Sequence, residues 1–251
     1  MTSDMTSHMT DVTEEIIDVE TTDGPMAVLS KEPTEGSDRL VVVFHDGPGI
    51  RGATHDFTRR LAGDGFRVVV PDLYHRHGRL IGFTPEQTRA DPTLVGRIWE
   101  MIRSLSDDGI QSDLDATLGA LAGVPDRFAV LGFCLGARAT CRTMMRLPER
   151  AVVGAAWHPS FLVDDQPDSP HLSADALPGT LYLGFGAADS VMPLESMQPF
   201  IDAVARRSGK TVIDVHADAE HGFTWTGSPN YDEAAAARSY EQTTALFREN
   251  C

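Results

Sequence analysis

Five apolar runs in this chain are too continuous for strands with one face in water. They are "RLVVVF" (39–44), "FRVVVP" (66–71), "RFAVLGF" (127–133), "AVVGAAW" (151–157) and "TLYLGFG" (180–186). A half-exposed strand alternates apolar and polar residues, whereas a strand covered on both faces of a parallel sheet reads as an unbroken apolar run. Amphipathic segments separate the runs: "ATHDFTRRLAGDG", "TLVGRIWEMIRSL", "SDLDATLGALAG", "LGARATCRTMMRL" and "PLESMQPFIDAVARRSG". "TVIDVHADAEHGF" adds a last strand and loop, and "YDEAAAARSYEQTTALFREN" a long final helix. Near the start, "EEIIDVE" and "PMAVLS" flank "TTDG" as a hairpin. Strands alternating with helices predict an α/β fold with a mostly parallel central sheet and helices on both faces. One domain is expected over 13–251, after a polar, disordered tail over 1–12. The longest weakly structured stretch, 75–92, is the kind of loop that covers a site.

Charge narrows the partners. The formal net charge is −16 and the pI about 4.8, which excludes nucleic acid, because binding phosphates needs a basic face. Residues 1–39 hold ten Asp and Glu against only Lys31 and Arg39. No apolar run reaches the roughly 20 residues of a membrane span. "MTSDMTSHMTDVTEE" has neither the basic nor the apolar part of a secretory leader. Three cysteines, Cys134, Cys141 and Cys251, form no disulfide framework. A reducing cytoplasm is the expected compartment, and a monomer or homodimer the expected state.

Cys134 stands between two glycines in Gly132-Phe133-Cys134-Leu135-Gly136, where "RFAVLGF" should turn into a helix. GxCxG is the cysteine form of the nucleophile elbow, which holds a reactive side chain above the sheet in strained geometry. The plainer reading is a small residue packed under a tight turn. As an elbow, Cys134 is followed by a helix whose free N–H groups face it. The Leu135 N–H can then bind an oxyanion, and the helix dipole favours a thiolate. Ligands of an open parallel sheet bind at the carboxyl ends of its strands. An acid and then a histidine are required after later strands. Asp189 follows "TLYLGFG" and His221 follows "TVIDVH", both at that edge.

The motifs "VVVFHDGPGI", "PDLYHR", "GFCLGA", "GAADSVMP", "EHGF" and "YDEAAAARSYEQTTALF" together resemble the dienelactone hydrolase (carboxymethylenebutenolidase-like) family of α/β-hydrolases, from about Glu14 onward. The resemblance implies that Cys134 is the nucleophile, His221 the base and Asp189 its orienting acid. It implies that no metal or organic cofactor is used. The family has a Glu contacting the resting cysteine where this chain has Asp46. The backbone N–H of Gly47 falls where a second oxyanion donor belongs. Dienelactone-cleaving members clamp the substrate carboxylate with arginines, one of them four residues after the histidine. That position is Trp225 here, and Arg89 is the nearest candidate for the other. The expected substrate is therefore a small ester, lactone or thioester other than dienelactone.

Arg76, with His75, His77 and Arg79 in "YHRHGR", could supply positive charge at the pocket mouth, or could belong to a solvated loop. Two histidines without a neighbouring Cys or carboxylate cluster are a poor metal site. His158, at another strand end, lines the pocket or bonds to its loop. Cys141 reads as core. The alternative to an enzyme is a ligand-binding or redox-sensing protein of the same fold, with Cys134 as an oxidisable thiol.

Overall fold

The structure is a computed structural model that describes residues 11–251. In chain order its strands are β1 (Val12–Thr21), β2 (Gly24–Pro33), β3 (Leu40–Phe44), β4 (Arg67–Pro71), β5 (Phe128–Phe133), β6 (Ala151–Trp157), β7 (Thr180–Gly186) and β8 (Thr211–His216). The helices are α1 (Gly52–Gly63), α2 (Pro85–Ala90), α3 (Thr93–Ser104), α4 (Asp107–Ala120), α5 (Gly136–Arg146), α6 (Leu194–Val204) and α7 (Glu233–Asn250). The expected tail over 1–12 lies outside the described residues except for Asp11 and Val12, and Val12 already pairs with Pro33 in the first hairpin.

The strands form one sheet in the order β1-β2-β4-β3-β5-β6-β7-β8. The first two pairings are antiparallel and all pairings from β4 onward are parallel. All five predicted runs are strands, and every residue of β3, β5, β6 and β7 is buried. One face packs on Ile110 and Leu114 of α4, Ala137 and Met144 of α5 and Phe200 of α6. The other packs on Leu61 of α1 and Leu246 and Phe247 of α7. Coverage of both faces is why these strands tolerate no polar alternation.

Helix starts follow local chemistry. The Ser106 hydroxyl accepts from Gly109 N–H at 3.1 Å, and Asp232 accepts from Ala235 N–H at 3.0 Å, so α4 and α7 are capped by their own side chains. The α5 helix has no such cap, and its early N–H groups at Ala137 and Arg138 turn back to the Cys134 and Leu135 carbonyls instead. No helix among the described residues is long and apolar enough to cross a membrane.

Register aligns the carboxyl ends of the parallel strands. Phe44 pairs with Gly132, Phe133 with Trp157, Trp157 with Gly184 and Gly186 with His216. The loops after β3, β5, β6, β7 and β8 therefore open at one edge, and residues of α2 and α3 line the cavity there.

Candidate active site

Cys134 occupies the turn between β5 and α5 with φ of 51°. A non-glycine residue in this left-handed region costs about 1 to 3 kcal/mol. The turn is held by hydrogen bonds on both sides: Cys134 N–H donates to the Trp157 carbonyl at 3.1 Å, and the Cys134 carbonyl accepts from Ala137 at 3.1 Å and Ser160 at 2.9 Å. The flanking glycines are dictated by close approach. A Cβ on Gly132 would meet the Gly136 carbonyl oxygen at 2.0 Å, and one on Gly136 would meet the Phe44 oxygen at 2.3 Å.

The acid and the histidine arrive on two neighbouring loops. Asp189 Oδ2 and His221 Nδ1 are 2.7 Å apart. The other carboxylate oxygen accepts from the N–H groups of Val191 and Met192 at 2.9 and 2.7 Å, so the carboxylate cannot swing away. With Nδ1 facing a carboxylate, the imidazole carries its proton there and presents Nε2 to the cavity. Burial pulls the His221 pKa down. The Cys134 charge and hydrogen bonds to Asp189 and Cys134 outweigh that and raise it to about 10. Asp189 thus holds His221, and His221 and Cys134 line the same cavity, although Asp189 lies 55 residues from Cys134 and 32 from His221 in sequence.

Two backbone N–H groups near Cys134 are without a partner among the described residues, and one of them belongs to Gly47, which lines the cavity. Neither Leu135 N–H nor Gly47 N–H has an acceptor among the described residues. Leu135 precedes the uncapped start of α5, where the helix dipole adds to the pull on an anion. Gly47 is held from both sides. Its carbonyl accepts from the Tyr74 hydroxyl at 2.8 Å, and the preceding Asp46 carbonyl is 2.8 Å from His45 Nδ1. His45 Nε2 accepts from Leu73 N–H at 3.2 Å, which makes Nδ1 the protonated nitrogen. His45 is fully buried, and burial holds its pKa below the ordinary value.

Asp46 is placed at the strand end as expected, but its carboxylate is engaged by a residue the sequence reading passed over. Arg51 donates to Oδ1 at 2.6 Å and to Oδ2 at 2.8 Å. The same guanidinium lies 4.8 Å from the centre of the Trp225 ring. Trp225 lines the cavity but is only 4% exposed, packed against Phe133 at 4.4 Å between ring centroids. A cation therefore does stand beside position 225, supplied from the loop after β3.

The expectation that Arg76 serves the pocket mouth is not met. Its guanidinium pairs with the buried carboxylate of Asp113 at 2.8 and 3.0 Å and with Asp23, and it does not line the cavity. Asp113 attracts it because a buried carboxylate needs a partner. His75 also faces Asp113, and His77 faces Ser104, so the two histidines share no ligand position. Arg89 does not line the cavity either.

The cavity measures about 450 Å³ and is walled mainly by Phe83, Ile98, Trp99, Phe161, Val191 and Met192 around Cys134 and His221. His158, buried with φ of 39°, lines it and bonds the Thr224 hydroxyl through Nε2 at 2.9 Å. Its ring stands edge-on to His221 at 5.1 Å, and burial keeps it neutral, with a pKa well below the ordinary value. Ser160, also missed from sequence, brings its hydroxyl to 3.3 Å from the Cys134 sulfur.

Comparison with known proteins agrees with this architecture. Residues 26–251 match the profile of the Dienelactone hydrolase family. A carboxymethylenebutenolidase from Rhodococcus opacus is 28% identical over 232 residues, covering 90% of this chain and 86% of that protein. A Klebsiella pneumoniae protein named by inference as a dienelactone hydrolase superposes with a TM-score of 0.80 at 21% identity, covering 95% of this chain and 99% of the other. A dienelactone hydrolase-like promiscuous phosphotriesterase from metagenomic libraries gives 0.71 at 24% identity, covering 95% and 98%. The chain belongs to the dienelactone hydrolase family and is a hydrolase of the α/β-hydrolase fold.

Proposed function

We propose that the protein hydrolyses small uncharged esters, lactones or thioesters, with Cys134 as nucleophile, His221 as general base and acid, and Asp189 orienting His221. The observation that carries this reading is the Asp189–His221 hydrogen bond, with His221 and Cys134 lining one cavity at the strand ends. A free cysteine is only a few per cent thiolate at neutral pH. His221 takes its proton, and the imidazolium is stabilised by Asp189. The sulfur then attacks the acyl carbon, and the carbonyl electrons move onto oxygen. That oxyanion is received by the N–H groups of Leu135 and Gly47, each such donor lowering the barrier by about 3 kcal/mol. Collapse expels the alcohol, which takes the proton from His221 Nε2. Water then gives its proton to His221, adds to the thioester, and releases the acid and the thiolate.

Charge in the cavity favours an uncharged substrate. Arg51 is the one arginine or lysine among its lining residues, and it is already neutralised by Asp46, while Glu86 adds a negative group. A substrate carboxylate would lose water without gaining a free cation. A panel of neutral and carboxylate-bearing esters, lactones and thioesters, assayed with the parent and Cys134→Ala, tests this. Turnover of neutral substrates, lost in Cys134→Ala, is expected. Stoichiometric acylation without turnover would instead favour a non-catalytic thiol protein, and full activity of the variant would remove Cys134 as nucleophile.

A further inference from the structure

We infer that the Ser160 hydroxyl is a second hydrogen-bond donor to the Cys134 thiolate and a catalytic residue of the reaction proposed above, on which this inference rests. Ser160 is fully buried, and among the described residues the Cys134 sulfur, at 3.3 Å, is the one hydrogen-bond partner of its hydroxyl. A hydroxyl carries one proton and a thiolate none, so once the sulfur is ionised the proton in this contact is Ser160's. The hydroxyl is also aimed there by its backbone. Ser160 N–H donates to the Cys134 carbonyl at 2.9 Å, and His158 N–H donates to the Gly184 carbonyl at 2.8 Å. Left-handed residues at His158 and Phe161, with φ of 39° and 59°, bend the loop around the cavity. Nothing in a plain strand-to-loop connection requires two such residues within four positions.

Asp46 is unsuited to this task. A carboxylate beside a thiolate is repulsive, and here it is turned into a bidentate pair with Arg51. Among the described residues Ser160 is the side-chain hydrogen-bond partner of the sulfur, and His221 lines the cavity with it.

The bond acts on one stage of the reaction. As the sulfur electron pair forms the S–C bond, charge leaves sulfur for the carbonyl oxygen, and Ser160 loses its acceptor. It therefore stabilises the resting thiolate more than the transition state. It raises the thiolate fraction at low pH and lowers the nucleophilicity of the thiolate once formed.

Rates of iodoacetamide alkylation across pH, with the modified cysteine located by peptide mass, test this in the parent, Ser160→Ala and Ser160→Thr. Burial pushes the Cys141 and Cys251 thiols up to about 12 and about 11, so they stay protonated over most of the range. The Ser160→Ala rate should be about tenfold lower at pH 6 yet equal to or above the parent rate at pH 9.5, and Ser160→Thr should return toward the parent. Thermal melting reports whether Ser160→Ala is folded. Should it unfold, Ser160→Gly removes the same hydroxyl without a methyl beside the sulfur and must show the same crossing. A profile parallel to the parent, unchanged or lower at every pH, overturns the role of Ser160. If the parent is not labelled at Cys134, it is the nucleophile assignment that fails.

Discussion

Arg51 donates two hydrogen bonds to Asp46, at 2.6 and 2.8 Å, with the two side chains only 9% and 6% exposed. Such a pair is costly to split, because the remaining charge stays buried without compensation. Arg51→Met should destabilise the fold by about 3 to 5 kcal/mol in urea denaturation. The double substitution Arg51→Met with Asp46→Leu should recover much of that loss. A single-variant loss below about 1 kcal/mol would mean that water reaches the pair.

The same pairing allows a test of the proposed selectivity. Asp46→Asn removes the counter-charge and leaves a guanidinium in the cavity, over the Trp225 ring. The kcat/KM ratio of a carboxylate-bearing lactone to a neutral ester should then rise about tenfold, the value of one charged hydrogen bond. General activity is free to fall, since only the ratio is diagnostic. A flat ratio would place the substrate out of reach of Arg51.

His221 links stability to pH. Its pKa rises to about 10 because the Cys134 charge and hydrogen bonds to Asp189 and Cys134 exceed the opposing pull of burial. An unfolded imidazole titrates near 6.5. A group whose folded pKa is the higher one contributes fully below the unfolded value and loses its contribution as pH climbs through the folded value. An imidazolium–thiolate pair, however, holds the same one proton as an unfolded thiol and neutral imidazole. The melting temperature should therefore hold until the unfolded thiol ionises at about pH 8.5, and decline from there to about pH 10. In Cys134→Ala both the compensating thiol and the largest raising influence are gone, so the decline should begin at about pH 6.5 and end at lower pH. Matching curves would show that Cys134 carries no charge beside His221.

Gly136→Ala tests the elbow. Its Cβ would sit 2.3 Å from the Phe44 carbonyl oxygen, and backbone cannot yield as a flexible side chain does, so soluble yield or melting temperature should collapse. Gly119→Ala in α4, where a Cβ meets nothing within 4 Å, should instead stabilise by up to about 1 kcal/mol. Equal effects at the two sites would contradict the close packing of α5 against β3.

Strands buried on both faces and the three side chains at their carboxyl ends were legible because both are local: an apolar run, then a reactive residue type directly after it. Arg76 stays ambiguous in sequence because its partner Asp113 is 37 residues away, and a basic loop looks alike whether it lines a mouth or clamps a buried acid. Trp225 reads in sequence as an aromatic in the place of an arginine, and a sequence does not show that Arg51 lies over it. Ser160 was missed altogether, since its place depends on left-handed backbone at His158 and Phe161, neither of which is a residue type that announces such a turn.

In the reaction proposed, His45 would orient the second oxyanion donor without touching the substrate. The Asp46 carbonyl is pinned by His45 Nδ1 at 2.8 Å and by Gly49 N–H at 3.0 Å. Across a trans peptide the next N–H points the opposite way, so Gly47 N–H is turned from His45 and Gly49. His45→Leu removes one of those pins and lets the peptide rotate. Its kcat should fall by about tenfold or more, a fraction of the full cost of losing an oxyanion donor, with KM little changed. His45→Asn keeps an N–H near the place of Nδ1 and should retain more activity. Alkylation of Cys134 by iodoacetamide forms no oxyanion, so its rate should be the same in the parent and both variants. A parallel fall in alkylation would mean that His45 supports the thiol or the fold at large, and the assignment of Gly47 as an oriented donor would lose its basis.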